Sequence, residues 1–196
     1  VLAIEHIVEH WSAQPFIDRV TLGLRQPDFR ETPSVIAICE LLSRRAAPHI
    51  ARVALRQEAP DLRTRLLELV KDKLSTQERA VADLIATADK RGAHQLLDVL
   101  KTVIDPDDLA YAIGVAMKNP DPAVRLEGLS HIPTRDLERY QRILVNALSD
   151  GTKMVRSKSI HLLARIRKSI IAEQIQLRID APEFSDFEVD EKRRFY

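Results

Sequence analysis

Residues 119–132, NPDPAVRLEGLSHI, and residues 150–163, DGTKMVRSKSIHLL, are two copies of one pattern. Each begins with a loop carrying Asp and continues into Val–Arg. A small residue follows, Gly128 or Ser159, then an aliphatic one, Leu129 or Ile160, and a second aliphatic three places on, Ile132 or Leu163. Val124 and Val155 stand 31 residues apart. An amphipathic stretch precedes each copy, Leu109–Met117 for the first and Tyr140–Leu148 for the second. Two periods upstream of Val124, Leu62–Arg63 is followed by Leu66, Leu67 and Val70 in the matching slots. The copy between them, Ala93–His94 with Leu97 and Leu100, keeps the aliphatic slots and loses the Val–Arg pair. Self-similarity at a period of roughly 20–50 residues marks a repeat architecture. One helix pair cannot cover its own apolar face, and stacked neighbours bury it together.

Elsewhere the apolar spacing is also helical, with no sustained alternation of the kind strands need. Pro48, Pro60, Pro106, Pro120, Pro122 and Pro133 fall between apolar stripes. Proline disfavours helix at the residue before it and fits a helix's first turn. Asp105, Asn119 and Asp121 stand directly before prolines as cap-type side chains, and Ser75 with Glu78 has capping-box spacing. These signals predict helices near 2–12, 15–25, 34–43, 46–57, 61–73, 76–88, 92–103, 106–118, 122–131, 134–149, 152–166 and 168–179, with a further one from about 190.

The loop with Asp and Pro, the Val–Arg pair and the small residue then Leu on the second helix resemble HEAT repeats, in particular the short bacterial kind also found in PBS-lyase-type repeat proteins. The likeness is good over 105–166, fair over 60–104 and weak over 1–59. It implies an all-α fold, an α-solenoid with a right-handed superhelix of stacked antiparallel helix pairs. It also implies that the Arg after Val ties to the loop Asp of an adjacent unit, here Arg125 and Arg156 with Asp121 and Asp150. The expected organisation is a single domain over 1–196. Within it lie degenerate N-terminal helices over 1–59, HEAT-like repeats over 60–179, and an acidic joint with the start of another helix over 180–196. Val1 in place of methionine, and a helix set up at Val189–Lys192, lead to the expectation of a segment cut from a longer protein.

Composition narrows the function classes. The chain has 196 residues, is 45% hydrophobic and 30% charged, and has only 5 glycines, a balance that suits helices. A net charge of +1 gives no global drive toward nucleic acid or anionic lipid. The single cysteine, Cys39, forms no intramolecular disulfide and fits a reducing compartment, so a cytoplasmic location is expected. No apolar run approaches the ~20 residues of a membrane span.

Three features carry candidate chemistry. His6, Glu9 and His10 match the H-x-x-E-H order of inverted zinc peptidases. Their place at the start of a helical repeat chain instead suggests polar positions on an end helix. Arg45, His49, Arg52 and Arg56 lie at i, i+4, i+7 and i+11 on one helix face, with Arg63 close by: a solvated face, a docking stripe for an acidic segment, or a phosphate-backbone track. Lys153, Arg156, Lys158, Arg165, Arg167 and Lys168 form a basic block with no acidic residue between 151 and 172, followed by an acidic segment from Asp180 to Glu191. The simplest account is that this segment packs near the block within the chain.

The reading that results is a non-catalytic protein–protein interaction scaffold with no cofactor and no metal, binding a partner protein on its curved surface, with an acidic partner as one candidate. Arg45, Arg52, Arg56, Arg63, Arg156 and Lys158 are the expected contacts. Asp121, Arg125, Asp150 and Arg156 form the structural ladder. A DNA-glycosylase-like nucleic-acid binder and a spacer between other domains are the alternatives. Scarce aromatics and near-neutral charge disfavour the former.

Overall fold

The computed structural model describes residues 2–25, 32–103, 105–166 and 169–193, and these are helical with no strand. Arg167 and Lys168 of the basic block lie outside the described residues. The α-helices are α1 (Leu2–Trp11), α2 (Gln14–Val20), α3 (Thr32–Leu41), α4 (Ala47–Leu55), α5 (Pro60–Asp72), α6 (Glu78–Ala82), α7 (Lys90–Val103), α8 (Pro106–Ala116), α9 (Pro122–Ser130), α10 (Gln141–Ala147), α11 (Lys153–Leu163), α12 (Ser169–Ile179) and α13 (Val189–Lys192). No helix among the described residues is long and apolar enough to cross a membrane.

The proline signals act where the spacing places them. α5, α8 and α9 each begin at the proline itself. The Asp105 carboxylate accepts from the amides of Asp107 and Asp108 at 2.8 and 3.0 Å, and Asp121 accepts from Ala123 at 2.8 Å. Several expected helices come out shorter, among them 15–25, which is α2 and then a 3-10 segment over Leu22–Arg25. The Ser75/Glu78 capping box does not form: Thr76 sits in a left-handed conformation (φ 70°), so α6 starts at Glu78, whose carboxylate takes the Thr76 amide instead. The stretch expected as 134–149 is a turn, a 3-10 segment over Leu137–Tyr140 and then α10.

The main contacts join helices that are neighbours, or next neighbours, along the chain. α5 packs on α3, α4 and α7; α7 on α8 and α9; α9 on α8 and α11; α11 on α10. On the other side α2, α4, α6 and α8 meet in succession. Polar ties between helices repeat the sequence period. The Ser43 amide donates to Ser12 Oγ (2.8 Å), Lys73 Nζ to the Leu42 carbonyl (2.6 Å) and Asn119 Nδ2 to the Ala88 carbonyl (3.0 Å), each across 31 residues.

The aliphatic slots of the repeat are the core. Leu66, Leu67, Val70, Leu97, Leu100, Val124, Leu129, Ile132, Val155, Ile160 and Leu163 are all buried. The small residues mark where the two helices of a pair come closest. A Cβ added at Gly128 would lie 2.8 Å from Ala116 Cβ. One period on, the buried Ser159 hydroxyl donates to the Leu144 carbonyl, and Leu144 stands 31 residues after Ile113, whose carbonyl lies 3.7 Å from the same Gly128 position.

Candidate functional site

The registered arginines share one task. Arg63 is buried, donating from Nε to the Ala54 carbonyl (2.9 Å) and from Nη2 to the Leu55 carbonyl (2.5 Å) at the end of α4. Arg125 Nη1 donates to the carbonyls of Asn119 (3.0 Å) and Pro120 (2.9 Å), and Arg156 Nη1 to the Asp150 carbonyl (2.7 Å). Each arginine thus reaches back from the second helix of a pair to the joint that precedes it.

Arg125 also forks onto Asp150, Nε to Oδ2 at 2.7 Å and Nη2 to Oδ1 at 3.0 Å, a bidentate pair with both side chains largely buried. Burial alone would raise the Asp150 carboxyl, but the hydrogen bonds from Arg125 and the Thr152 amide outweigh it and hold its pKa below the usual value. The same hydrogen bond to Asp150 pushes the Arg125 guanidinium up. Asp121 spends its carboxylate on the α9 cap rather than on a direct bond to Arg125.

Of the expected partner contacts, Arg63 and Arg156 are buried, and their guanidinium groups donate to backbone carbonyls inside the fold. Arg156 also lies over the Phe187 ring, 4.2 Å from its centroid. Arg45, Arg52 and Arg56 are exposed. Arg45 lies 3.4 Å from Glu9, and Arg52 Nη1 donates to Gln14 Oε1 at 2.8 Å, beside His49. Burial, then the Arg52 charge, lowers the His49 pKa. His6, Glu9 and His10 are exposed on α1, and no cluster of three or more metal-ligand-type side chains among the described residues includes them. The acidic segment does meet the basic block: Lys153 pairs with Glu188, whose carboxyl it holds below the usual range.

Lys158 lines an open groove of about 720 Å³ along α11. Leu126 of α9 with Met154, Ile160 and Ala164 make its apolar floor, and Lys153, Lys158 and His161 its basic rim. Met154 is 64% exposed and gives this floor its solvent-facing apolar surface, while Ile160 beside it is buried.

A second constellation carries no motif in the sequence. His94 and Asp98 stand one turn apart on α7, and Glu127 and His131 one turn apart at the end of α9. The 33-residue offset between the two pairs sets His94 beside Glu127 and Asp98 beside His131. The signal was present as two i, i+4 pairs, but only the packing of α7 on α9 makes them one group. His94 occupies the slot that Arg63, Arg125 and Arg156 fill in the other copies. Its ring turns to Glu127 instead of backbone carbonyls. Next to it a groove of about 670 Å³ opens between the starts of α7 and α9.

Cys39 is buried, and that burial pushes its thiol up to about 11, against the opposing pull of Lys73. No family model, curated protein or solved structure matches the chain.

Proposed function

We propose that the chain is a non-catalytic scaffold, a HEAT-like α-solenoid whose α9–α11 face binds an acidic, partly apolar segment of a partner protein. The succession of helix contacts and the ties repeated at 31 residues support the stacked-pair reading. Elongated surfaces of this kind recognise extended protein segments. The observation that carries the site is the groove along α11, with an exposed methionine in its floor and Lys158 at its rim. Methionine fills irregular contacts adaptably, and a rim lysine gives attraction to carboxylates and orients the approach.

The test is fluorescence anisotropy with a labelled peptide of alternating Glu and Leu, its Glu→Gln counterpart, and a labelled DNA duplex. The reading expects binding of the acidic peptide, weakened about tenfold or more, equivalent to about 1.4 kcal/mol, by Lys158→Glu or Met154→Asp. Arg52→Glu/Arg56→Glu on the far stripe leaves it unchanged. Equal binding of the neutral peptide, or insensitivity to both groove variants, overturns the site. Binding of DNA alone, abolished by salt, would favour the nucleic-acid reading.

A further inference from the structure

The four side chains His94, Asp98, Glu127 and His131 close a ring of contacts. His94 Nδ1 lies 2.8 Å and His131 Nδ1 3.3 Å from the same oxygen, Glu127 Oε1. The other ring nitrogens both meet Asp98, His131 Nε2 at 3.0 Å from Oδ1 and His94 Nε2 at 3.3 Å from Oδ2. His131 Nδ1 also lies 3.0 Å from the Glu127 carbonyl. The rings stand edge to face with centroids 5.3 Å apart.

Two imidazoles and two carboxylates thus converge where α7 packs on α9. Asp98 presents a separate oxygen to each Nε2, and both Nδ1 atoms approach Glu127 Oε1. A cation seated among these last three atoms would be ligated by all of them.

The dimensions fit such an ion. Two ligands about 2.0–2.1 Å from a tetrahedral zinc lie roughly 3.3 Å apart. The Nδ1–Oε1 separations of 2.8 and 3.3 Å are close to that, and one donor atom from each of His94, Glu127 and His131 already lies within 4.8 Å of the other two. Two imidazoles and a carboxylate suit zinc and its first-row neighbours. A carboxylate beside the second ring nitrogen of a ligating histidine is the usual outer shell, and Asp98 stands in that place for both rings. The His131 side chain is 6% and that of Glu127 16% exposed, whereas His94 is 52% exposed. The base of the site is therefore shielded and its mouth is open for entry of the ion and for a water as fourth ligand.

We propose that His94, Glu127 and His131 bind one divalent transition-metal ion, zinc or a close equivalent, with Asp98 orienting both rings, and that the ion clamps α7 to α9. The site lies apart from the α11 groove, and its test does not depend on that reading.

The experiment uses the whole chain, stripped with EDTA and checked by circular dichroism. Cobalt(II) is titrated as a spectroscopic probe, zinc(II) is used to displace it, and the thermal midpoint is measured with and without zinc. The expected result is one cobalt per chain with visible d–d bands lost on adding zinc, and a midpoint raised by zinc. His94→Ala and Glu127→Gln abolish the midpoint rise and weaken binding about tenfold or more, and Asp98→Asn weakens it by about 10–100-fold. His6→Ala/His10→Ala removes the exposed histidine pair on α1 and leaves binding intact. The proposal is overturned if the wild-type chain binds no metal, or if binding survives His94→Ala and Glu127→Gln and is lost with His6→Ala/His10→Ala.

Discussion

Replacing Gly128 by alanine tests whether α8 and α9 are held at the spacing their small residues allow. The new Cβ would lie 2.8 Å from Ala116 Cβ, well inside the ~3.5–4.0 Å of a favourable carbon contact. Neither atom is at the end of a flexible side chain, so the helices must part locally, a form of overpacking that costs about 1–3 kcal/mol. Against this, exchanging glycine for alanine within a helix favours folding by about 1 kcal/mol. The net expectation for Gly128→Ala is a loss of about 0–2 kcal/mol. In an Ala116→Gly background the obstacle is gone. The remaining neighbours, the Ile113 carbonyl at 3.7 Å and Ala116 Cα at 4.0 Å, are at ordinary contact. There the same substitution should stabilise by about 1 kcal/mol. The coupling between the two positions is then about 1–3 kcal/mol, which isolates the steric part. Urea unfolding followed by circular dichroism on the four proteins measures it. A chain of this length shifts its thermal midpoint by about 2–4 °C per kcal/mol, which gives an independent reading. Additivity to within about 0.5 kcal/mol would refute the close-approach argument.

Arg63→Ala should lower stability by about 2–4 kcal/mol, since two charge-assisted bonds to the carbonyls of Ala54 and Leu55 are lost, while leaving partner binding by the surviving folded protein unchanged. Loss of binding with stability intact would instead place Arg63 on the contact surface. The Asp150 carboxyl is held below its unfolded value of 3.8, so its contribution is complete above that pH and is lost as pH falls through the lower folded-state value. Urea midpoints between pH 6 and pH 2.5 should fall more steeply for the wild-type chain than for Asp150→Asn; parallel curves would refute the Arg125–Asp150 assignment.

Two placements that the sequence does not foresee arise from the path of the preceding chain. Arg63 and the exposed lysines look alike in sequence, because a long cation suits either solvent or a buried carbonyl. Which it meets depends on where the preceding helix ends, and here α4 delivers two carbonyls to Arg63. The Ser75/Glu78 spacing likewise fitted a cap, but the chain spends Thr76 on a left-handed turn, which a cap motif cannot foresee.

What the sequence determined by itself was local and periodic. Proline and Asp set the helix starts at Pro60, Pro106 and Pro122, the aliphatic slots identified the buried faces, and the 31-residue register brought out Gly128 and Ser159 as the close approaches. These follow from backbone sterics and the helical repeat, which act within a few residues. Only the tertiary structure decided that Arg125 forks onto Asp150, that Met154 floors an open groove, and that His94, Asp98, Glu127 and His131 form one ring. Those pairings depend on the axial offset and rotation of one packed helix against the next. That geometry is set by the summed packing of many core side chains, so no short stretch of sequence encodes it.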